Sequence, residues 1–179
     1  MSLETSRLIL RQWQPSDRQA FAQLNADPHV MLFFPSPLSA KASDDAMQRY
    51  STAIEKQGWG FWAVERKQEG DFIGFVGMQH FADYLPCAPG IEIGWRLAKH
   101  AWRKGYATEA ATATVRYAFD VLKLTELCSI TSAFNMPSQA VMKKIGMKNT
   151  KHNFLHPAVP EDSSLREHVL YKMTNPQQA

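Results

Sequence analysis

Three residues that could bind an anion, Arg103, Lys104 and Gly105, follow one another between a strand-like segment and a helix-like segment. Glycine permits a positive φ or a close backbone approach, and the first turn of the following helix leaves N–H groups without partners. The helix dipole adds partial positive charge beside the two cationic side chains. This pattern predicts an anion site, such as one for a phosphate. The alternative is an ordinary strand-to-helix connection with a solvated Arg-Lys pair.

The elements on either side of this loop follow from the spacing of apolar residues. Between residues 91 and 97, apolar residues alternate with Glu92, Gly94 and Arg96, which predicts a half-buried strand. After the loop, apolar residues recur on one face of a helix. They are Ala107, Ala111, Val115, Ala118, Phe119 and Leu122. The chain is organised around this stretch, residues 90–124.

The other segments alternate between predicted strands and helices. Strands are predicted at 5–12, 59–65, 72–81, 127–133 and 167–173, and helices at 16–26, 39–57 and 138–145. Gly74 and Gly77 inside one strand indicate a bulge or the close approach of another backbone. Residues 151–160 are predicted to be a loop. With no repeat and no linker, the chain is predicted to be one α+β domain over residues 1–179.

Composition excludes several classes of protein. The chain has 179 residues, of which 45% are hydrophobic, as in an ordinary globular protein. It lacks an apolar run of the ~20 residues that a membrane helix needs, and it begins without a secretory signal pattern. A formal charge of +3 with scattered bases does not favour nucleic-acid binding. We therefore expect no membrane or nucleic-acid partner.

The cysteines and histidines point to a cytoplasmic protein without a metal site. Cys87 and Cys128 are the only cysteines, which favours free thiols in a reducing compartment over a disulfide framework. His152 and His156 have a spacing that one helix face could use, but the surrounding residues predict a loop and no third ligand is close in sequence.

Three sequence segments together resemble the GNAT superfamily of acyl-CoA-dependent N-acetyltransferases. WRKGYATEA (102–110) is similar to its pyrophosphate loop, although the first motif position, usually Gln or Arg, is Trp102. Asn135-x-x-Ser138, a helix and Lys-Lys-Ile-Gly-Met are similar to its second cofactor motif, with Met147 where the family usually has Phe. Arg-Leu-Ile-Leu-Arg at 7–11 is a common opening in the branch that acetylates the N-termini of ribosomal proteins. The resemblance spans roughly residues 4–174.

The resemblance implies a fold and a cosubstrate. The family has a mixed, mostly antiparallel sheet with flanking helices, and its fourth and fifth strands splay apart so that acetyl-CoA can enter between them. The backbone at Trp95, Arg96 and Leu97 would bind the pantetheine arm. The pyrophosphate would be cradled by the main chain of six residues, which are Arg103, Lys104, Gly105, Tyr106, Ala107 and Thr108. Asn135 and Ser138 would hold the cofactor from the second motif.

The resemblance also implies a reaction, the transfer of an acetyl group to a primary amine. Such an amine is almost fully protonated at neutral pH, so its proton needs a base or an exit route. Glu92 is the expected catalytic carboxylate, either as that base or as a group that binds the ammonium ion; otherwise it is a solvated or ion-paired residue. Ser138 would deliver a proton to the leaving thiolate, or it could simply cap its helix.

Several alternatives stay open at this stage. The segment 30–34 either borders the acceptor pocket or buries Phe33 and Phe34 in the core. The chain could be a non-catalytic acyl-CoA-binding regulatory module of the same fold, or an unrelated α+β domain that binds another phosphate ligand. The acceptor, a protein N-terminus or a small amine, and the oligomeric state, monomer or homodimer, are not determined by the sequence.

Overall fold

The computed structural model of the chain describes residues 2–86 and 88–177. The predicted free thiol of Cys87 lies outside these residues. The described strands are β1 Leu3–Glu4, β2 Leu8–Arg11, β3 Phe61–Arg66, β4 Phe72–His80, β5 Ile91–Leu97, β6 Glu126–Ser132, β7 Lys148–Asn149, β8 Phe154–Leu155 and β9 Glu167–Thr174. The described α-helices are α1 Asp17–Ala26, α2 Ala40–Gln57, α3 Tyr106–Arg116 and α4 Met136–Lys144. A 3₁₀ turn, Lys99–Ala101, precedes the anion loop, and a π-helical turn, Tyr117–Val121, extends α3.

All of these strands belong to one mixed sheet with the order β1-β2-β3-β4-β5-β6-β9-β7, and β8 pairs with β9. Every neighbouring pair is antiparallel except β5 and β6, which are parallel. Since β1 precedes the first predicted strand, β5 and β6 correspond to the family's fourth and fifth strands. The predicted α+β class and mostly antiparallel sheet are confirmed.

The parallel pair β5 and β6 separates almost as soon as it forms. β4 and β5 are in register from Gly74 opposite Leu97 to His80 opposite Ile91, whereas β5 and β6 share the single register pair Glu92–Cys128. One residue further on, Ser129 Oγ donates to the Ile93 carbonyl at 2.8 Å. No register pair follows, so the strands diverge toward their carboxyl ends. The predicted splay is confirmed.

Helices cover both faces of the sheet. On one face, the Tyr50 ring of α2 lies 5.0 Å from that of Phe61 and 5.2 Å from that of Phe75, centroid to centroid. On the other face, Trp62 meets Tyr117, which continues α3, at 5.6 Å. Because side chains alternate along a strand, Glu92, Gly94 and Arg96 face α1 and α2 together with Phe75. Ile93 and Leu97 face α3.

Two hydrophobic clusters make up the core. The larger cluster packs both helical layers on the sheet and includes Ile93, Leu97, Leu127 and Met142. The smaller cluster lies on the α1–α2 face of β6 and β9 and is formed by Phe81, Leu85, Cys128 and Leu170. No described helix is long and apolar enough to cross a membrane.

Gly77 confirms the predicted close approach of another backbone. A Cβ atom at Gly77 would lie 1.9 Å from the Gly60 carbonyl oxygen, and one at Gly74 would lie 2.2 Å from the Arg96 carbonyl oxygen. Gly74 also has a φ of +137° and stands opposite a register shift between Val64 and Glu65. The glycines therefore allow β4 to fit tightly between its neighbours.

Three local predictions were wrong. The predicted strand at 5–12 is shorter than expected and forms only as β2, Leu8–Arg11, because Thr5 and Leu8 bond to each other across the turn that follows β1. The predicted loop at 151–160 contains the two-residue strand β8. Phe33 and Phe34 are not tucked into the core: Phe33 is half-buried, and Phe34 is 38% exposed while Met31 nearby is buried.

Candidate active site

The predicted anion loop begins α3 with an open first turn. Gly105 is the N-cap residue with a φ of +83°, and Arg103 also adopts the left-handed region at +60°. Glycine has no side-chain oxygen, whereas Ser39 and Asn135 cap α2 and α4 by accepting from a backbone N–H. The N–H groups of residues 106–108 consequently form no hydrogen bond with the described residues. They remain available to an anion.

Side chains from distant elements brace this loop. Arg7 Nη1 donates to the Lys104 carbonyl at 3.0 Å, and the Arg7 guanidinium lies 4.5 Å from the Tyr106 ring centroid. Glu109, in the first turn of α3, forms a 2.6 Å ion pair with Arg7. Trp102 Nε1 donates to the Leu97 carbonyl at 2.7 Å. Trp102, the departure from the family motif, thus ties the loop to the end of β5.

The splay exposes backbone groups of every second residue on β5. The Ala98 N–H donates to the Ile73 carbonyl, so by antiparallel alternation the N–H and C=O of Arg96 also face β4. The Ile93 carbonyl points instead toward β6, where Ser129 binds it. Trp95 and Leu97 share that orientation and face the cleft. Of the three predicted pantetheine contacts, Trp95 therefore presents its N–H and C=O to the cleft and Arg96 presents its own to β4. Leu97 presents its N–H, since its carbonyl already accepts from Trp102 Nε1.

The second predicted motif lies at the start of α4. Asn135 is the N-cap: its Oδ1 accepts from the Ser138 N–H at 3.2 Å, and its Nδ2 donates to Thr131 Oγ1 at 2.9 Å. The suggestion that Ser138 caps this helix was wrong, because Asn135 occupies that position. Ser138 is half-buried in the first turn. Since β5 and β6 are parallel, α3 and α4 both begin at the same edge of the sheet, the open end of the splay.

Glu92 lies at the narrow end of the splay, on the α1–α2 face. Its Oε2 accepts from Gln79 Nε2 at 2.8 Å, and Gln79 is its direct register partner on β4. The residue is half-buried, and the surrounding protein desolvates the carboxylate. Burial raises the pKa of Glu92 to about 7, and the hydrogen bond from Gln79 only partly opposes this shift. At neutral pH such a carboxylate can both accept and return a proton.

Two other observations concern the remaining surface and the metal-ligating side chains. A surface cleft of about 480 Å³ between α1 and the end of β5, lined by Asp27, Phe72 and Lys99 among others, contains none of the predicted site residues. Within residues 2–86 and 88–177, no three His, Cys, Asp or Glu side chains are grouped so that they could hold a metal ion.

Sequence reasoning missed the residues that support the site. Gln79, Arg7, Glu109 and Asn25 act through partners that are far away in sequence or on a neighbouring strand. The one available signal was strand register, because a hairpin of 72–81 with 91–97 could have been aligned to bring Gln79 opposite Glu92.

A sequence model described as the acetyltransferase (GNAT) domain matches residues 7–148. The chain belongs to this family. A curated relative, the uncharacterized N-acetyltransferase YnaD of Bacillus subtilis, is 27% identical over 96% of this chain and 95% of its own length. The FsC-acetyl coenzyme A-N(2)-transacetylase of Aspergillus fumigatus is 29% identical over 97% of this chain and 76% of its own length.

Solved structures of GNAT proteins share the fold. A GNAT-family acetyltransferase from Bacillus anthracis superposes with a TM-score of 0.81 at 24% identity, covering 98% of this chain and 99% of its own. Ribosomal-protein acetyltransferases are among these structures. The ribosomal-protein-S5-alanine acetyltransferase of Vibrio fischeri has a TM-score of 0.75 at 17% identity and covers 100% of this chain and 99% of its own. The chain is thus an N-acetyltransferase with the GNAT fold.

Proposed function

We propose that this chain transfers the acetyl group of acetyl-CoA to a primary amine, which attacks the thioester directly. The observation that carries this proposal is the position of Glu92, a carboxylate with a pKa of about 7 at the narrow end of the β5–β6 splay. The open first turn of α3 supports it at the wide end of the same splay. Both features lie along one cleft, as a long cosubstrate with a reactive end requires.

The chain's own groups fit the cosubstrate. Acetyl-CoA supplies an activated acyl group and a thiolate that can leave. The free N–H groups of residues 106–108 would bind its pyrophosphate, with Arg103 and Lys104 adding exposed positive charge. The backbone of Trp95 and Leu97 would bind the pantetheine amides as a neighbouring strand would, and an N–H donor there would also polarise the thioester carbonyl.

Glu92 would prepare the acceptor for attack. An alkyl ammonium ion with a pKa near ~10 must lose a proton before its nitrogen can attack. A carboxylate with a pKa of about 7 is roughly half ionised at neutral pH, and it is a stronger base than an ordinary glutamate. Gln79 would hold the carboxylate at 2.8 Å and fix its direction. Glu92 therefore takes the proton, directly or through water.

Ser138 would assist departure of the thiolate. It lies in the first turn of α4, at the edge where β5 and β6 open, and its N–H is already fixed by Asn135. Its hydroxyl forms no hydrogen bond with the described residues, so it is free to donate. Asn135 would act by positioning this turn, because both ends of its amide are engaged within the chain.

The acceptor is a primary amine of a protein N-terminus or of a small molecule. Relatives point in both directions: one is named for acetylating the N(2) position of FsC, and one fold neighbour is named for a ribosomal protein. We expect the same core reaction for either acceptor, since Glu92 and the splay act on the amine and the thioester alone.

A two-part experiment tests the proposal. Calorimetric titration with acetyl-CoA and, separately, ATP should show binding of acetyl-CoA only; preference for ATP would indicate a different phosphate ligand. CoA release should then be followed with a panel of peptide N-termini and small amines. Tight acetyl-CoA binding with no CoA release from any amine would favour the non-catalytic regulatory module instead.

A further inference from the structure

Arg96 is a cation placed beside the acceptor side of the site, on the same face of β5 as Glu92. Its guanidinium carbon lies 4.2 Å from the ring centroid of Phe34, in the loop after α1, and 5.4 Å from that of Phe75 on β4. The two rings contact the guanidinium through cation–π interactions. Hydrogen bonds of a guanidinium lie in its own plane, so its edges are where a further ligand would bind.

The hydrogen bonds of Arg96 orient it without neutralising it. Nη1 donates to Asn25 Oδ1 at 2.6 Å, and Asn25 Nδ2 in turn donates to Ser43 Oγ at 2.9 Å, which fixes the amide. Asn25 and Ser43 are both buried. Nε of Arg96 is buried without any hydrogen-bond partner. A guanidinium has five N–H donors, and one of them is used here within the described residues.

Other partly buried arginines of this chain are paired differently. Arg11 binds the carboxylates of both Asp17 and Glu65. Arg66 binds those of Asp71 and Glu69.

Arg96 has no carboxylate within ion-pair distance among the described residues. Burial lowers its pKa, which reflects the cost of holding this charge out of water. A half-buried cation that is positioned but unpaired is suited to an anion that arrives from outside.

The pyrophosphate of the cosubstrate is not that anion. Its expected site, the first turn of α3, belongs to the helical layer on the opposite face of the sheet from the Arg96 side chain. On the α1–α2 face, Glu92 is the next side chain along β5 from Arg96, because Gly94 between them has none. Tyr50 packs on the same face, and its hydroxyl is under the charges of Arg96, Arg49 and Glu92.

We propose that Arg96 binds a carboxylate carried by the acceptor amine, and thus selects acceptors with an anionic group away from the reacting nitrogen. This inference rests on the proposed function, because it takes Glu92 as the position of the amine. Four residues along a strand separate the two Cα atoms by about 13 Å at ~3.3 Å per residue. That separation suits an acceptor in which several bonds lie between amine and carboxylate. A small amino acid and a peptide with an acidic side chain share this chemistry.

Matched acceptor pairs test the selection. The small-molecule pair is 6-aminohexanoate and 6-aminohexanamide, and the peptide pair is Ala-Ala-Glu amide and Ala-Ala-Gln amide. In the wild-type protein, kcat/KM should be higher for the acid of at least one pair by roughly 10- to 100-fold, the usual effect of one charged hydrogen bond. The pair that shows the preference identifies the source of the carboxylate.

Substitution of Arg96 should remove this preference selectively. Arg96→Gln should lower kcat/KM for the acid by the same roughly 10- to 100-fold and should affect the amide far less. Arg96→Lys keeps the charge and should retain part of the preference. Arg18→Gln removes an exposed arginine paired with Asp44 and serves as the matched control, with no change in the acid-to-amide ratio. An acid-to-amide ratio that is the same in wild type and Arg96→Gln would overturn the proposal.

A binding measurement separates this inference from the proposed reaction. Calorimetric titration of the CoA-bound protein with the same acids and amides involves no turnover. Preferential acid binding that is lost in Arg96→Gln, together with no CoA release from any amine, would reject the proposed reaction and keep the Arg96 site. Equal binding of acid and amide to the wild-type protein would reject the Arg96 site whatever the turnover.

Discussion

Replacing Glu92 with glutamine removes one ionisation and nearly preserves the side-chain shape, so it tests the desolvated carboxylate directly. Burial raises the pKa of Glu92 from 4.5 to about 7. At 1.36 kcal/mol per pKa unit, this difference corresponds to up to about 3 kcal/mol. Below pH 4.5 Glu92 is protonated in both states, and it costs the folded chain nothing. As pH rises from 4.5 toward 7, the unfolded chain ionises first and the wild-type protein loses stability relative to Glu92→Gln.

Urea unfolding of both proteins from about pH 4.5 to about pH 8.5 measures this difference. The free energy of unfolding of Glu92→Gln, minus that of wild type, should rise by up to about 3 kcal/mol and then level off above pH 7. Glu161→Gln, which alters a side chain that is 90% exposed, should give no such rise. Parallel curves for wild type and Glu92→Gln would refute the argument that this carboxylate is desolvated.

The same variant tests catalysis. Glu92→Gln should lower kcat at neutral pH, and the deficit should shrink as pH approaches the acceptor's own pKa, near ~10, where the amine no longer needs a base. Stopped-time CoA release across this pH range gives the profile. If kcat at pH 7 is unchanged and only KM rises, Glu92 binds the ammonium ion and the base lies elsewhere.

Three further substitutions probe the rest of the site and the sheet. Gly105→Ala and its control Gly58→Ala both place a side chain at a φ above +80°, so each should cost about 1 kcal/mol of stability. Calorimetry should show weaker acetyl-CoA binding for Gly105→Ala only. If Gly105→Ala binds acetyl-CoA as tightly as the wild-type protein, the loop is only a connector. Ser138→Ala should slow turnover about 10- to a few hundred-fold while leaving acetyl-CoA affinity nearly unchanged, and a loss of stability alone would exclude proton donation. Gly77→Ala should lower Tm by more than Gly105→Ala or Gly58→Ala does, because the new Cβ atom would lie 1.9 Å from the Gly60 carbonyl oxygen. An unaltered melting curve would contradict that close fit.

The central elements could be predicted because their signals are local. β5 has the predicted bounds, since strict alternation from Ile91 to Leu97 matches a strand with one half-exposed face. α2 ends at Gly58, which adopts the left-handed conformation that a terminating glycine allows. Gly105 indicated the start of α3 because glycine also allows the left-handed conformation that this N-cap residue adopts.

The errors arise where the deciding contact is not local. β2 begins at Leu8 rather than at Thr5 because Thr5 and Arg7 bind Glu109, about a hundred positions later. β8 forms only because β9 is available as a partner. Gln79 and Asn25 contact Glu92 and Arg96 through tertiary packing, which no spacing within one segment reveals. The direction of each backbone N–H on β5 likewise depended on its register with β4.

The divergence of β5 and β6 divides the sheet into two hydrogen-bonded ladders, β1 to β5 and β6 to β9. The backbone pair Glu92–Cys128 and the hydrogen bond from the Ser129 hydroxyl to Ile93 join the two ladders near one point. Beyond that point the halves are held mainly by side chains on the α3–α4 face, where one hydrophobic cluster includes both Ile93 and Leu127. On the opposite face a separate small cluster packs Phe81 and Leu85, which follow β4, against Cys128 and Leu170 of the second ladder. The Glu92–Cys128 pair is therefore the one backbone register pair that joins the two ladders among the described residues. A ligand that bonds to both strands would cross-link the ladders and couple their local unfolding, which otherwise can proceed in separate units.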